Sequence, residues 1–72
     1  MRGRVRLLSN DEGYRGSFKR VEEDALTGWL DEKAKYAGME GEVILTYDAD
    51  QTATIVFDDN EKLDFPFESI AE

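Results

Sequence analysis

The chain of 72 residues contains no cysteine and no histidine, and only one proline and one tryptophan. Without cysteine there is neither a disulfide nor a thiolate metal ligand. Without histidine, the commonest general base and the commonest transition-metal ligand are both missing. No apolar run approaches the roughly 18 residues that a membrane-spanning helix needs. Met1-Arg2-Gly3-Arg4 is not followed by the apolar stretch of a signal peptide. A small chain free of disulfides suits a reducing compartment, so a cytoplasmic location is expected. The termini read as those of a complete small protein or a cleanly excised domain.

These absences leave little room for catalysis. Ser9, Ser17 and Ser69 have no histidine to activate them, and no glycine-rich phosphate loop is present. Carboxylates are plentiful, but a paired-carboxylate hydrolase also needs a cleft. A chain this short buries only about 60% of the surface its unfolded form exposes, and one core fills it. Asp48-Ala49-Asp50-Gln51-Thr52 looks superficially like the start of a calcium loop. The sixth position, where such a loop needs Gly, is Ala53, and the twelfth, where it wants Glu, is Asp59. A solvated hairpin turn is the better reading. The expectation is a non-enzymatic domain with no cofactor and no metal.

What the chain does have is acid. Its net charge is −8, which argues against broad contact with nucleic-acid phosphates. The charge is uneven. Residues 1–20 hold six basic against two acidic side chains, a balance of +4; residues 21–72 hold three against fifteen, a balance of −12. The plainest consequence is a basic first strand lying beside acidic strands and neutralising them. The alternative is an anion-facing edge formed by Arg2, Arg4 and Arg6.

Hydrophobic periodicity orders the chain. In residues 2–8 the three arginines alternate with Val5 and Leu7, the period of a half-buried strand. Ser9 to Gly13 supplies turn formers, and Tyr14 and Phe18 share one parity of a second strand weakened at Gly16. From Glu22 the period lengthens: Leu26, Trp29, Leu30, Ala34 and Ala37 recur at helical spacing, which predicts a helix over about 23–37. Acidic Glu22, Glu23 and Asp24 stand at its start, and Gly38 at its end as a left-handed terminating residue.

The stretch from 41 to 70 reads as a meander. Strands are expected over 42–48, 52–58 and 62–65, with Asp59 and Asn60 at the positive-φ sites of the second hairpin. Val43, Leu45 and Tyr47 share one parity with Ile44 opposite. Ala53, Ile55 and Phe57 share one with Val56 opposite. Strands apolar on both faces are covered on both, which predicts that the Leu26/Trp29/Leu30 stripe lies over the second face.

Phe65-Pro66-Phe67-Glu68-Ser69-Ile70 resembles the end of an SH3-like barrel, where a Phe-Pro pair closes the fourth strand before a 3₁₀ turn and a short last strand. Gly41-x-Val43 and Val56-Phe57-Asp58 are similar to other strand ends in that superfamily. It includes SH3, Tudor, KOW and Mind-bomb-type repeats. The resemblance covers residues 3–8 and 38–72. It implies a mainly β fold with one helix: a barrel of about five strands with the helix inserted between the first strand and the meander, in one domain spanning 1–72. The alternative is an open α+β sheet, ββαβββ. Ser69 stands where proline-rich-peptide binders carry Tyr, and Asp59 and Asn60 follow Phe57-Asp58 where methyl-reading cages place Tyr. Neither of those activities is implied.

The functional expectation is an interaction module or small accessory subunit. Its acidic turns, with Asp48, Asp50, Asp58, Asp59 and Asn60, would meet a basic surface on a protein partner. Tyr14, Trp29 and Tyr47 are amphipathic candidates for the same contact, although Trp29 at helical spacing with Leu26 and Leu30 also suits a core. The alternative is a nucleic-acid-related role, through phosphate contact at Arg2, Arg4 and Arg6 or through acidic mimicry of DNA.

Overall fold

The computed structural model describes residues 3–71. The fold is mainly β with one α-helix. Strands β1 (Gly3–Arg6), β2 (Glu40–Tyr47), β3 (Thr52–Val56) and β4 (Lys62–Pro66) form an antiparallel sheet in the order β1-β2-β3-β4. The sheet is not closed into a barrel. Where a fifth strand was expected there is one isolated bridge, Leu7 opposite Ile70. It is flanked by hydrogen bonds from Leu8 N to Ser69 O and from Ala71 N to Arg6 O.

The meander follows the sequence closely. Phe57 and Glu61 close a short loop in which Asn60 N donates to Phe57 O and Asn60 takes φ 70°. Only Asn60 of the expected pair is left-handed. Asp59 instead accepts from Glu61 N through its side chain, which holds it on the ordinary side of φ space. The other hairpin turns at Gln51, with φ 58°. Gly41 lies buried opposite Val5. A Cβ there would stand 2.4 Å from Ile55 Cγ2, so only glycine lets the side chains of β3 approach β2 so closely.

The region 9–37 departs from expectation. No second strand forms over 14–21, and the ββαβββ alternative goes with it. Residues Asp11–Gly16 form α1, capped by Asn10, whose side chain accepts from Gly13 N at 2.8 Å. Asp11 and Glu12 in the first turn favour the helix further. Tyr14 and Phe18 stand four apart, a spacing that satisfies a strand face and a helix face alike. Both are buried.

The helix expected over 23–37 does not form either. Asp24 accepts from Leu26 N at 2.9 Å and Thr27 N at 3.0 Å, diverting the backbone into a side-chain-capped turn. At Gly28 an added Cβ would meet Asp24 O at 2.6 Å. Only a 3₁₀ helix follows, Asp31–Tyr36, ended by Gly38 at φ 76°.

The core lies between the inner face of the sheet and the long 8–38 connection. It contains Val5, Leu7, Tyr14, Phe18, Tyr36, Ile55, Phe57 and Phe65. Aromatic rings dominate it. Tyr36 stacks on Phe57 at 4.0 Å, and Tyr14, Phe18 and Trp29 meet edge-to-face at 5.2–5.8 Å. Each such pair adds roughly 0.5–1.5 kcal/mol beyond its area.

The segment 24–28 is tied to this core by one side chain. Lys33 is fully buried. Its ammonium shares three N–H groups among four carbonyls, those of Leu26 (3.0 Å), Thr27 (3.1 Å), Gly28 (2.7 Å) and Asp64 (2.7 Å). The rings of Phe18 and Phe65 lie just over 5 Å away. Tyr14 in turn donates to the Lys33 carbonyl at 2.6 Å. Lys33 thus gathers a loop around an ammonium and satisfies a carbonyl of an edge strand, β4. That edge is blunted further by Pro66, which has no N–H to offer.

Candidate functional site

A single extra residue in β2 creates the site. Val43 pairs with Ile55 and Leu45 with Thr54, so Ile44 is a β-bulge. Side chains alternate between the faces of a strand, and an inserted residue shifts the alternation by one. Leu45 and Tyr47, which share Val43's parity in the sequence, are therefore turned away from the core that Val43 joins. Ile44, Leu45 and Tyr47 are all about half exposed, at 45%, 52% and 46%. The expected cover is absent: Leu26 is itself 68% exposed, and Trp29 packs beside Tyr14 and Phe18 instead.

The outer face of the sheet is thereby split. Toward one end it is ionic. Arg6 meets Glu40 at 2.9 Å, and Arg4 lies 3.8 Å from Glu40 and 3.6 Å from Asp58. Toward the other end it is apolar, carrying Ile44, Leu45 and Tyr47 along β2 with Thr52 and Thr54 beside them on β3.

Where the apolar half meets segment 24–28 there is a groove of about 200 Å³. Leu26 and Thr27 line one side, and Tyr47 and Thr52 line the other. Three carboxylates complete it: Asp24, Asp50 and Asp64. No lysine or arginine side chain of the described residues lines it, while the Arg20 guanidinium and the buried Lys33 ammonium bond the backbone carbonyls of two lining residues, Asp50 and Asp64. The Asp24 carboxyl is held below the usual range by the Thr27 and Leu26 backbone N–H groups. Asp64 accepts from the Thr54 hydroxyl at 2.5 Å. Arg20 holds the turn that carries Asp50. It donates to Asp50 O and Gln51 O, both at 2.8 Å, while bound to both Glu68 carboxylate oxygens.

The residues singled out from the sequence are distributed as follows. Tyr47 and Asp50 come together in the groove, with Asp48 exposed on the adjoining turn. Asp58, Asp59 and Asn60 lie at the other end of β3, so the two acidic turns do not form one surface. Asp59 is engaged there by the Tyr36 hydroxyl at 2.7 Å and by Lys35 at 3.7 Å. Burial pushes the Tyr36 hydroxyl up to about 12, helped by Asp59. Tyr14 is buried, with its hydroxyl committed to the Lys33 carbonyl, and burial raises its pKa well above the ordinary value. Its side chain belongs to the core in this fold. Trp29 is part of the core's rim. Arg15 stacks on its ring at 4.4 Å, and its indole N–H donates to Asp31 at 3.3 Å. Arg2 lies outside the described residues, and Arg4 and Arg6 are ion-paired as described.

Sequence reasoning missed Asp24, Leu26 and Asp64. Asp24 and Leu26 were assigned to a helix, and Asp64 to a plain strand. The residue pattern Asp-x-Leu-Thr-Gly, with a side-chain acceptor two and three residues before its backbone donors, was the one available signal. Among the described residues no group of acidic side chains is arranged to hold a metal ion. No helix there is long and apolar enough to cross a membrane. Compared with family models, curated proteins and solved structures, the chain gives no match in any of the three.

Proposed function

We propose that this chain is a non-catalytic protein-interaction module, or a small accessory subunit, that binds a basic surface of a partner protein. The observation that carries the reading is the groove in which Tyr47 and Leu26 face a space bordered by Asp24, Asp50 and Asp64, with no lysine or arginine of the described residues lining it. Three carboxylates on a chain of net charge −8 would steer a cationic partner and suppress acidic ones. An exposed Tyr beside them offers both apolar area and a ring face for a cation.

The phosphate-binding alternative is weaker, because Arg4 and Arg6 already face Glu40 and Asp58. Kinship with SH3-like folds belongs to the same proposal. It is supported by the meander order and by Leu7 meeting Ile70, although one bridge rather than a strand joins those ends.

The test is a pull-down from cell lysate with the whole chain as bait, at low and high salt, with and without nuclease. A protein partner retained after nuclease and lost in salt is expected. Capture that is indifferent to salt, or that requires intact nucleic acid, would refute the reading.

A further inference from the structure

Resting on that reading, we infer that the partner element is a basic amphipathic helix, docked across the apolar half of the outer sheet face. Three observations converge on it. The first is the bulge at Ile44, which puts Ile44, Leu45 and Tyr47 in solvent on one strand. The second is Leu26, 68% exposed, across the groove from Tyr47. The apolar surface therefore runs from the middle of β2 to segment 24–28. A sheet face of this kind is ordinarily covered by a packed helix or a second sheet, and among the described residues neither lies over Ile44, Leu45 and Tyr47. The third is the rim, where Asp24, Asp50 and Asp64 border the groove and Asp48 adjoins it.

The rim selects among occupants. A second copy of this chain would bring another −8 to an already acidic surface, so self-association through this face is opposed. An anionic membrane surface is repelled in the same way. A helix with leucine-like residues along one stripe and lysine or arginine on its flanks meets both requirements. Its stripe covers Ile44, Leu45 and Tyr47, and its flanks lie over the carboxylates. The occupant sits on the face of the sheet, because the β4 edge is blocked by Pro66 and by Lys33 on the Asp64 carbonyl.

The experiment titrates the full isotope-labelled chain with three peptides and follows amide shifts by NMR. The peptides are a 14-residue leucine–lysine amphipathic helix, a scrambled isomer of identical composition, and oligolysine. The amphipathic peptide is expected to bind best and to shift residues 44–47 and 26. Leu45→Ser should weaken it roughly five- to tenfold, the loss for an apolar side chain already half in water. Ile44→Ser should act similarly. Both positions are exposed, and circular dichroism checks that each variant keeps its fold.

Equal binding of all three peptides, unaffected by Leu45→Ser, would overturn the helix and leave a purely electrostatic module. Binding of none would overturn the inference, while the pull-down decides the broader reading independently. Shifts confined to β1 would place the contact elsewhere and overturn it too. Concentration-dependent dimerisation of the chain alone, abolished by Leu45→Ser, would assign the face to a second copy.

Discussion

Replacing Lys33 with Met tests what holds segment 24–28, and with it one wall of the groove, to the sheet. The substitution keeps the length and apolar stem of the side chain but leaves the carbonyls of Leu26, Thr27, Gly28 and Asp64 without their donor. A hydrogen bond to a charged group contributes about 1.5–3 kcal/mol, and an orphaned buried carbonyl costs about 1–3 kcal/mol. Against this, Met avoids desolvating an ammonium. The carbonyls can also recover water if the segment lifts, as the exposure of Leu26 permits. The net expectation is a loss of about 3 kcal/mol. A domain of this size is stable by only about 4–11 kcal/mol, so the change is large. Urea denaturation reads it as a lower midpoint, and amide exchange as selective loss of protection at 26–28. The reasoning is refuted if Lys33→Met is neutral or stabilising, as buried charges replaced by apolar groups sometimes are.

The same variant carries a pH signature. Burial pulls Lys33 down from 10.5 to about 8, with Asp64, Asp24 and Glu32 pushing the other way. Between those two values the unfolded chain binds the proton and the folded chain does not. Stability of the wild type should therefore rise with pH across that window. Lys33→Met should abolish the rise. Tyr14 and Tyr36 act oppositely. Their pKa values are raised in the fold, so their contribution is intact below pH 10 and is lost as the solution becomes more alkaline.

Other consequences are simpler to measure. Gly41→Ala should lower stability by about 1–3 kcal/mol in thermal melts, since its Cβ would collide with Ile55 and press on Phe57. Asp24, Asp59 and Glu68 have carboxyl pKa values lowered by their hydrogen bonds. Their contribution to stability should accordingly be level above their ordinary values of 3.8 and 4.5 and fall as pH drops toward the lower folded values, as an acid titration followed by circular dichroism would show. Arg20→Ala should release the Asp50–Gln51 turn from Glu68. In NMR spectra this appears as increased mobility at 48–51 with the core unchanged.

The meander was legible because its signals are local. Alternating apolar residues, the Asn60 turn and the Phe65-Pro66 end each depend on residues close in sequence, and strands formed where that pattern stood. The 9–37 connection was not, because its spacings are ambiguous. Tyr14 and Phe18, four apart, fit a strand or a helix, and Asn10 settled the matter by capping a helix. Leu26, Trp29 and Leu30 keep helical spacing, yet the Asp24 side chain competes for the backbone donors a helix would need to begin.

Composition determined that this chain is acidic and without cysteine or histidine, and the order of its residues that it is built around a three-strand meander. Tertiary structure decided the rest. The bulge at Ile44 is invisible in a residue pattern, because an inserted residue is defined only by its partner strand. Yet it reverses which side of the sheet Leu45 and Tyr47 occupy. Lys33 reads as a surface residue until Leu26, Thr27, Gly28 and Asp64, up to 31 positions away, bring their carbonyls to it. Asp24, Asp50 and Asp64 become neighbours only once the chain has folded over the sheet. Strand periodicity is a property of one segment, whereas a surface is a property of several, and no local pattern encodes which segments will meet.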